Sequence, residues 1–239
     1  TVLFEQSLIQ SQIPFDIIFE RHLEDLGKYK VLVLADQDAL SDVEVERIRN
    51  FVRDGGGLVA TGTTSALTDW RIERRRPALA DLFESGGTFG KGRVAYIPRV
   101  EPAVDPPPAQ MSYNFSNQYW RPPKNARQLV EAVRKVAGGP LAASVKAPPS
   151  VAAEVTSRPA DGLLLLHLIN FDLGRTILGL ESEVRIPAGY RLRSASLESP
   201  DEGDSRSLQV SINGGVAAFH VPRLKIYSIA RLRLEKTGG

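Results

Sequence analysis

Tyr29 to Gly62 reads YKVLVLADQDALSDVEVERIRNFVRDGGGLVATG. Val31 to Ala35 is apolar on consecutive residues, the mark of a strand buried on both faces of a parallel sheet. Ser41 is placed to cap a helix, and Glu44 three residues later completes a capping box. Val45, Ile48, Phe51 and Val52 then recur at helical spacing. Gly55, Gly56 and Gly57 end that helix and turn the chain into a second strand, Leu58 to Thr61. The stretch is one βαβ unit of an open α/β sheet. In such a sheet a catalytic group is expected just after the second strand, and the residues there are Gly62, Thr63, Thr64 and Ser65.

Working outward, Val2 to Gln10 reads as a helix that ends ahead of Pro14, because the residue before a proline is pushed out of the helical region. Phe15 to Phe19 (FDIIF) reads as a short strand, and Glu20 to Leu26 as a short helix stopped by Gly27. Downstream, Pro77 to Glu84 reads as a further short helix and Gly92 to Pro98 as a strand. Arg99 to Pro123 is rich in proline and aromatics and has no period. It is long for a connection in a compact domain, which marks it as functional or disordered. Asn125 to Ala137 reads as a helix with Leu129, Val133 and Val136 inward, closed by Gly138, Gly139 and Pro140.

After about residue 142 the pattern changes to short strands alternating with turns: 151–156, 163–171, 183–186, 191–197, 208–212, 216–221 and 226–234. Asp161-Gly162 and Asn213-Gly214 have hairpin-turn composition. Strands at this spacing predict an antiparallel sandwich. The expected fold class is therefore α/β: a Rossmann/flavodoxin-like domain over residues 1–141, followed by a small antiparallel β-sandwich domain over residues 142–239.

The 239 residues suffice for a sizeable core or two smaller ones. The formal charge of +2 gives no concentrated basic face, so nucleic-acid binding is not expected. The densest basic run, Arg71-Ile-Glu-Arg-Arg-Arg76, reads as a solvated loop or helix start. No run of about 18 apolar residues occurs, so no membrane partner is expected. The chain has no cysteine, which excludes disulfides, thiol catalysis and thiolate metal sites. It begins at Thr1 without an initiator methionine, as expected of a processed or excised fragment.

Candidate chemistry is sparse. Ser65 as a nucleophile needs a histidine base beside it. His22 precedes the first strand of the βαβ unit, while His167 and His220 lie in the second domain. The three histidines have no metal-ligand spacing, and His167, inside LLLLHLINF, reads as a satisfied core or sheet-face residue. Asp36 and Asp38 stand at a strand end, where ligands bind in open α/β sheets. Two carboxylates there suit a cation, but more commonly they accept hydrogen bonds from loop amides. Gly55 to Gly57 follows a helix and lacks the lysine of a phosphate loop, and Gly86 to Gly92 leads into a strand as a turn. No acid pair is picked out by spacing for glycoside hydrolysis. Neither a metal nor a cofactor is expected. The aromatic cluster Tyr113, Phe115, Tyr119 and Trp120 is the candidate contact surface. Large aromatics anchor domain and subunit interfaces, and their faces also stack on sugar rings.

Several of these motifs together resemble a known family. Tyr29-Lys-Val-Leu-Val-Leu, the Leu40-Ser41 helix start, Phe51-Val-Arg-Asp-Gly-Gly-Gly-Leu-Val-Ala-Thr-Gly62 and Gly90 to Pro98 resemble the class I glutamine amidotransferase-like, or trimerisation, domain of family 42 β-galactosidases. Leu166 to Phe171, Leu197 to Asp201 and Val221 to Tyr227 resemble the small β domain that closes such enzymes. The resemblance implies a non-catalytic C-terminal region that serves oligomerisation and active-site shaping. Its implied partners are a TIM barrel of the same parent protein, which carries the catalytic carboxylates, and neighbouring copies in a homo-oligomer. A free-standing module that binds carbohydrate or protein is the alternative. The strand that usually opens the family's α/β domain, ahead of the helix Val2 to Gln10, is missing here.

Overall fold

The computed structural model describes residues 1–105, 121–201, 203 and 205–237. These fall into two compact units, Thr1–Ser7 with Asp16–Gly139, and Leu8–Phe15 with Pro140–Gly239.

The first unit contains β1 (Val31–Ala35), α2 (Asp42–Arg53), β2 (Gly57–Thr61), α3 (Ala80–Phe83), β3 (Thr88–Phe89), β4 (Gly92–Ile97) and α4 (Ala126–Val136). The start of α1 (Val2–Ile9) also belongs to it. The strand order is β1-β2-β4-β3. The strands β1 and β2 are parallel with Val33 opposite Val59, and β2 and β4 are parallel with Val59 opposite Ala95. The two-residue strand β3 pairs antiparallel with β4. Helix α2 starts where its sequence asks: the Ser41 N–H donates to Glu44 Oε2 at 2.7 Å, and Glu44 N–H donates back to Ser41 Oγ at 3.3 Å. Val45, Ile48 and Val52 turn inward from it, and every residue of β2 is buried. Leu32, Leu34, Leu58, Leu79 and Leu82 complete this core. Gly92 has no Cβ for a reason, since one would collide with the carbonyl oxygens of Val52 and Gly56, where β4 runs beneath the end of α2.

The second unit is antiparallel throughout. It comprises β5 (Ala143–Lys146), β6 (Val151–Arg158), β7 (Leu163–Asn170), β8 (Ile177–Arg185), β9 (Tyr190–Glu198), β10 (Arg206–Ser207), β11 (Val210–Asn213), β12 (Val216–Leu224) and β13 (Tyr227–Lys236). One sheet has the order β10-β9-β13-β7-β6 and the other β11-β12-β8-β5. Alternation along β7 sends Leu164, Leu166 and Leu168 inward, where they share one core with Leu180, Val184, Val221 and Leu224 of the other sheet. Two sheets closing one apolar layer make this unit a β-sandwich. The segment Leu8–Phe15 is held in it by Gln12, which is 4% exposed and donates from Nε2 to Val151 O at 2.8 Å and Pro148 O at 3.2 Å.

The expected class, α/β with a Rossmann/flavodoxin-like, amidotransferase-like first domain, is overturned. Strands hold 38% of the described residues and helices 21%, and the chain is mainly β. The physical reason is strand pairing. A doubly wound sheet grows by repeated parallel crossovers, each laying a helix on a sheet face. Here, among the described residues, the parallel strand pairs are β1–β2 and β2–β4 alone, and β3 closes that sheet as an antiparallel edge. Phe15 to Phe19, expected as a strand, forms none and lies outside every sheet. The stretch Tyr29–Gly62 does form its local βαβ unit, but that unit does not set the class of the chain.

Candidate functional site at the strand ends

The carboxyl ends of β1 and β2 are tied to each other by side chains. The Asp36 N–H donates to Thr61 Oγ1 at 3.0 Å, and Thr61 Oγ1 lies 3.2 Å from Asp36 Oδ2. Asp36 takes a left-handed φ of 55°, and a Cβ on Gly62 would collide with Asp36 Oδ1. The Thr64 hydroxyl faces two carbonyls, Thr61 O at 2.7 Å and Leu34 O at 3.0 Å. Tyr96, at the end of β4, donates its hydroxyl to Gly62 O at 2.7 Å and stacks on Phe83 with ring centroids 4.7 Å apart.

Ser65 is the residue with the geometry most like a nucleophile turn, with φ of 63° just past a strand. Its surroundings are those of a structural group. It is fully buried, its Oγ accepts from Leu79 N–H at 3.0 Å, its N–H donates to Gln37 O at 2.9 Å, and its carbonyl accepts from Ala78 N–H at 2.9 Å. A left-handed non-glycine residue costs about 1–3 kcal/mol and persists where its neighbours over-determine it. Here three segments converge on it. Its hydroxyl is engaged by a backbone amide and not by a histidine. His22 sits half-buried on a short 3-10 turn, with its Nδ1 accepting from Phe19 N–H at 3.0 Å. His167 and His220 belong to the second unit.

The acid pair is likewise separated in its bonding. Asp36 engages Thr61, whereas Asp38 pairs with Arg71 at 3.1 Å. Among the described residues no group of acids and histidines is arranged to hold a metal ion.

A feature not singled out from sequence stands next to Asp38. Leu67 bridges Ala39 in parallel and Glu73 in antiparallel fashion, which makes 67–73 a tight hairpin beside the loop that follows β1. Thr68 closes it, with its N–H donating to Ile72 O at 2.9 Å, its carbonyl accepting from Arg71 N–H at 2.8 Å and its Oγ1 accepting from Ile72 N–H at 3.1 Å. Arg74 anchors the base through Leu40 O at 2.9 Å and Asp42 at 2.7 Å. At the tip Trp70 is 83% exposed and Ile72 64%. The sequence held one signal for it, a lone tryptophan in a run too charged to supply a core.

In the second unit His167 lies on the outer face of the five-stranded sheet, opposite Glu154 and Ile229. Its Nδ1 is 2.7 Å from the Tyr227 hydroxyl and its Nε2 is 3.0 Å from Thr156 Oγ1. Burial pushes its pKa below the ordinary histidine value, which favours the neutral ring. That is the satisfied sheet-face histidine expected of the LLLLHLINF pattern. The four aromatics proposed as a contact surface, Tyr113, Phe115, Tyr119 and Trp120, lie outside the described residues.

No family model matches the chain, and no curated protein matches it. Solved structures do. Alpha-L-fucosidase isoenzyme 2 from Paenibacillus thiaminolyticus is similar over 97% of this chain and 44% of its own, with a TM-score of 0.63 at 16% identity. A catalytic mutant of Gan42B, a GH42 beta-galactosidase from G. stearothermophilus, is similar over 97% of this chain and 36% of its own, with a TM-score of 0.57 at 13% identity. The beta-galactosidase from Bacillus circulans sp. alkalophilus is similar over 96% of this chain and 36% of its own, with a TM-score of 0.55 at 15% identity. The chain thus spans less than half the length of each of these three, and in fold it is similar to part of these glycosidase chains.

Proposed function

We propose that the chain is a non-catalytic region of a β-galactosidase-like glycoside hydrolase. In this reading it holds subunits together and shapes the entrance of an active site carried by a TIM barrel in the same protein, and residues 142–239 form its closing antiparallel module. The observation that carries the reading is the coverage: nearly all of this chain follows the fold of glycosidase chains, yet it accounts for only 36–44% of them. The strand ends agree with it, because the Ser65 hydroxyl is engaged by the Leu79 amide and the Asp36 carboxylate by the Thr61 hydroxyl.

The test is the native gene product, detected in its source cells with an antibody against this chain. A mass well above 26.2 kDa is expected, with room for a barrel of about 200 residues or more. A product near 26.2 kDa that hydrolyses glycosides by itself would refute the proposal. In the parent protein, replacing Tyr119 and Trp120 by Ala lowers the sedimentation coefficient if the segment 100–123 is the subunit contact. Unchanged sedimentation rejects that contact.

A further inference from the structure

The hairpin 67–73 exposes Trp70 more fully than any other large hydrophobic side chain among the described residues. The exposure is not slack chain, because the tip is closed by the three Thr68 bonds and its base is pinned by Arg74. Arg71, next to Trp70, holds a left-handed φ of 59° and reaches Asp38 at 3.1 Å. Strain of this kind in a non-glycine residue gathers at ligand sites. The Arg71 side chain is 68% exposed and that of Asp38 36%. Asp38 also stands just past the carboxyl end of β1, the side of a parallel sheet where ligands bind.

We propose that Trp70 is the stacking platform of a carbohydrate site and that the Arg71–Asp38 pair is its hydrogen-bonding fork. The ligand class is an uncharged pyranose unit of an oligosaccharide. One face of such a ring presents C–H groups that pack on an indole, and its rim presents hydroxyls that both donate and accept. A planar guanidinium offers several fixed donors, and Asp38 Oδ1 is an acceptor with no other partner among the described residues. A protein partner fits less well. Interface cores are depleted in charge, whereas Trp70 is flanked in sequence by Asp69, Arg71, Glu73 and Arg75, and Arg71 in turn pairs with Asp38, with Ile72 the one other exposed apolar residue on the hairpin.

The inference deepens the proposed function, and the choice of sugar rests on that reading. The chain has two tryptophans, Trp70 and Trp120. A Trp120→Phe variant therefore reports Trp70 alone by fluorescence, and it is titrated with methyl β-D-galactoside and with β-1,4-galactotetraose. A saturable emission change is expected, with half-saturation on the order of millimolar and tighter for the tetraose. Calorimetry, which needs no tryptophan reporter, should show roughly tenfold weaker tetraose binding for Trp70→Ala and a smaller loss for Asp38→Asn. Trp70 is at the surface, so unchanged circular dichroism of its variant is expected and confirms that the fold is intact. Absence of a saturable change, or undiminished binding by Trp70→Ala, overturns the site. An emission change that follows protein concentration instead of sugar also overturns it, in favour of self-association. A saccharide result of either sign is read on this chain alone, so it is distinguishable from the mass and sedimentation results that test the parent.

Discussion

Replacing Asn170 by Ala should cost the second unit much of its stability. Asn170 is 1% exposed at the end of β7, where several loops meet. Its Nδ2, with two hydrogens, is within hydrogen-bond distance of three carbonyls, Asp172 at 3.0 Å, Arg175 at 2.7 Å and Lys225 at 2.9 Å. Its Oδ1 accepts from Asp172 N–H at 3.1 Å and from Ser150 Oγ at 3.3 Å. One amide thus fastens the β7–β8 loop to the turn before β13. Each bond is worth about 0.5–1.5 kcal/mol net, and a buried group left unsatisfied costs about 1–3 kcal/mol. Some of the freed carbonyls belong to exposed loop residues and can recruit water, so the expected loss is about 2–4 kcal/mol. In a unit of about a hundred residues that lowers the melting temperature by roughly 10–20 °C. Scanning calorimetry of the full chain reads it directly. Asn170→Asp is the sharper variant, because it keeps the size and the acceptors and loses the donors. It should destabilise at least as much as Ala. If Asn170→Asp melts within about 2 °C of the native chain, the donor bonds do not matter and the reasoning fails.

Gln12→Ala removes the two bonds that hold Leu8–Phe15 to the backbone around Val151 and should cost the second unit about 1–3 kcal/mol; a denaturant midpoint equal to that of the native chain counts against this anchoring. Ser65→Ala leaves the buried Leu79 N–H without its acceptor, so a stability loss of about 1–3 kcal/mol is expected, with the glycosidase activity proposed for a longer parent protein unchanged. Loss of turnover in a stably folded variant would revive the nucleophile reading. His167 makes stability depend on pH. Its folded pKa lies below the ordinary 6.5, so the unfolded chain binds the proton more readily. The stabilisation is fully present above pH 6.5 and is lost as pH falls through the lowered folded value. Urea melts at neutral and mildly acidic pH should show the loss, and His167→Gln should reduce it. An identical pH dependence in that variant, with Glu154 opposite left in place, would assign the effect elsewhere.

What was legible in the sequence was local. The capping box of Ser41 and Glu44, the apolar run of β1 and the alternation of β7 each depend on neighbours a few residues away. What was not legible depends on distant partners. Phe15 to Phe19 has strand composition, but composition does not supply a partner strand. The short β5, with Ser144 and Lys146 facing out, has too little apolar alternation to announce itself, and β8 begins at Ile177 because pairing with β12 carries it across Gly179. The long antiparallel half sets the class of the chain, and the single convincing crossover of Tyr29 to Gly62 does not. At the strand ends, the composition of Gly62 to Ser65 showed that no strong nucleophile was present. It did not show that Ser65 is sealed inside, or that Trp70 is held out on a pinned hairpin, since both are products of tertiary packing.

The path of the chain between its two units constrains its history. It serves the first unit through Ser7, the second from Leu8 to Phe15, the first again from Asp16 to Gly139, and the second thereafter. The units are therefore laced together three times along the sequence. A gene rearrangement that cut only at Gly139–Pro140 would hand the sandwich to a new host without the residue, Gln12, that secures part of its own backbone. The two units are not freely exchangeable parts, and they are expected to be inherited, lost and transplanted as a pair.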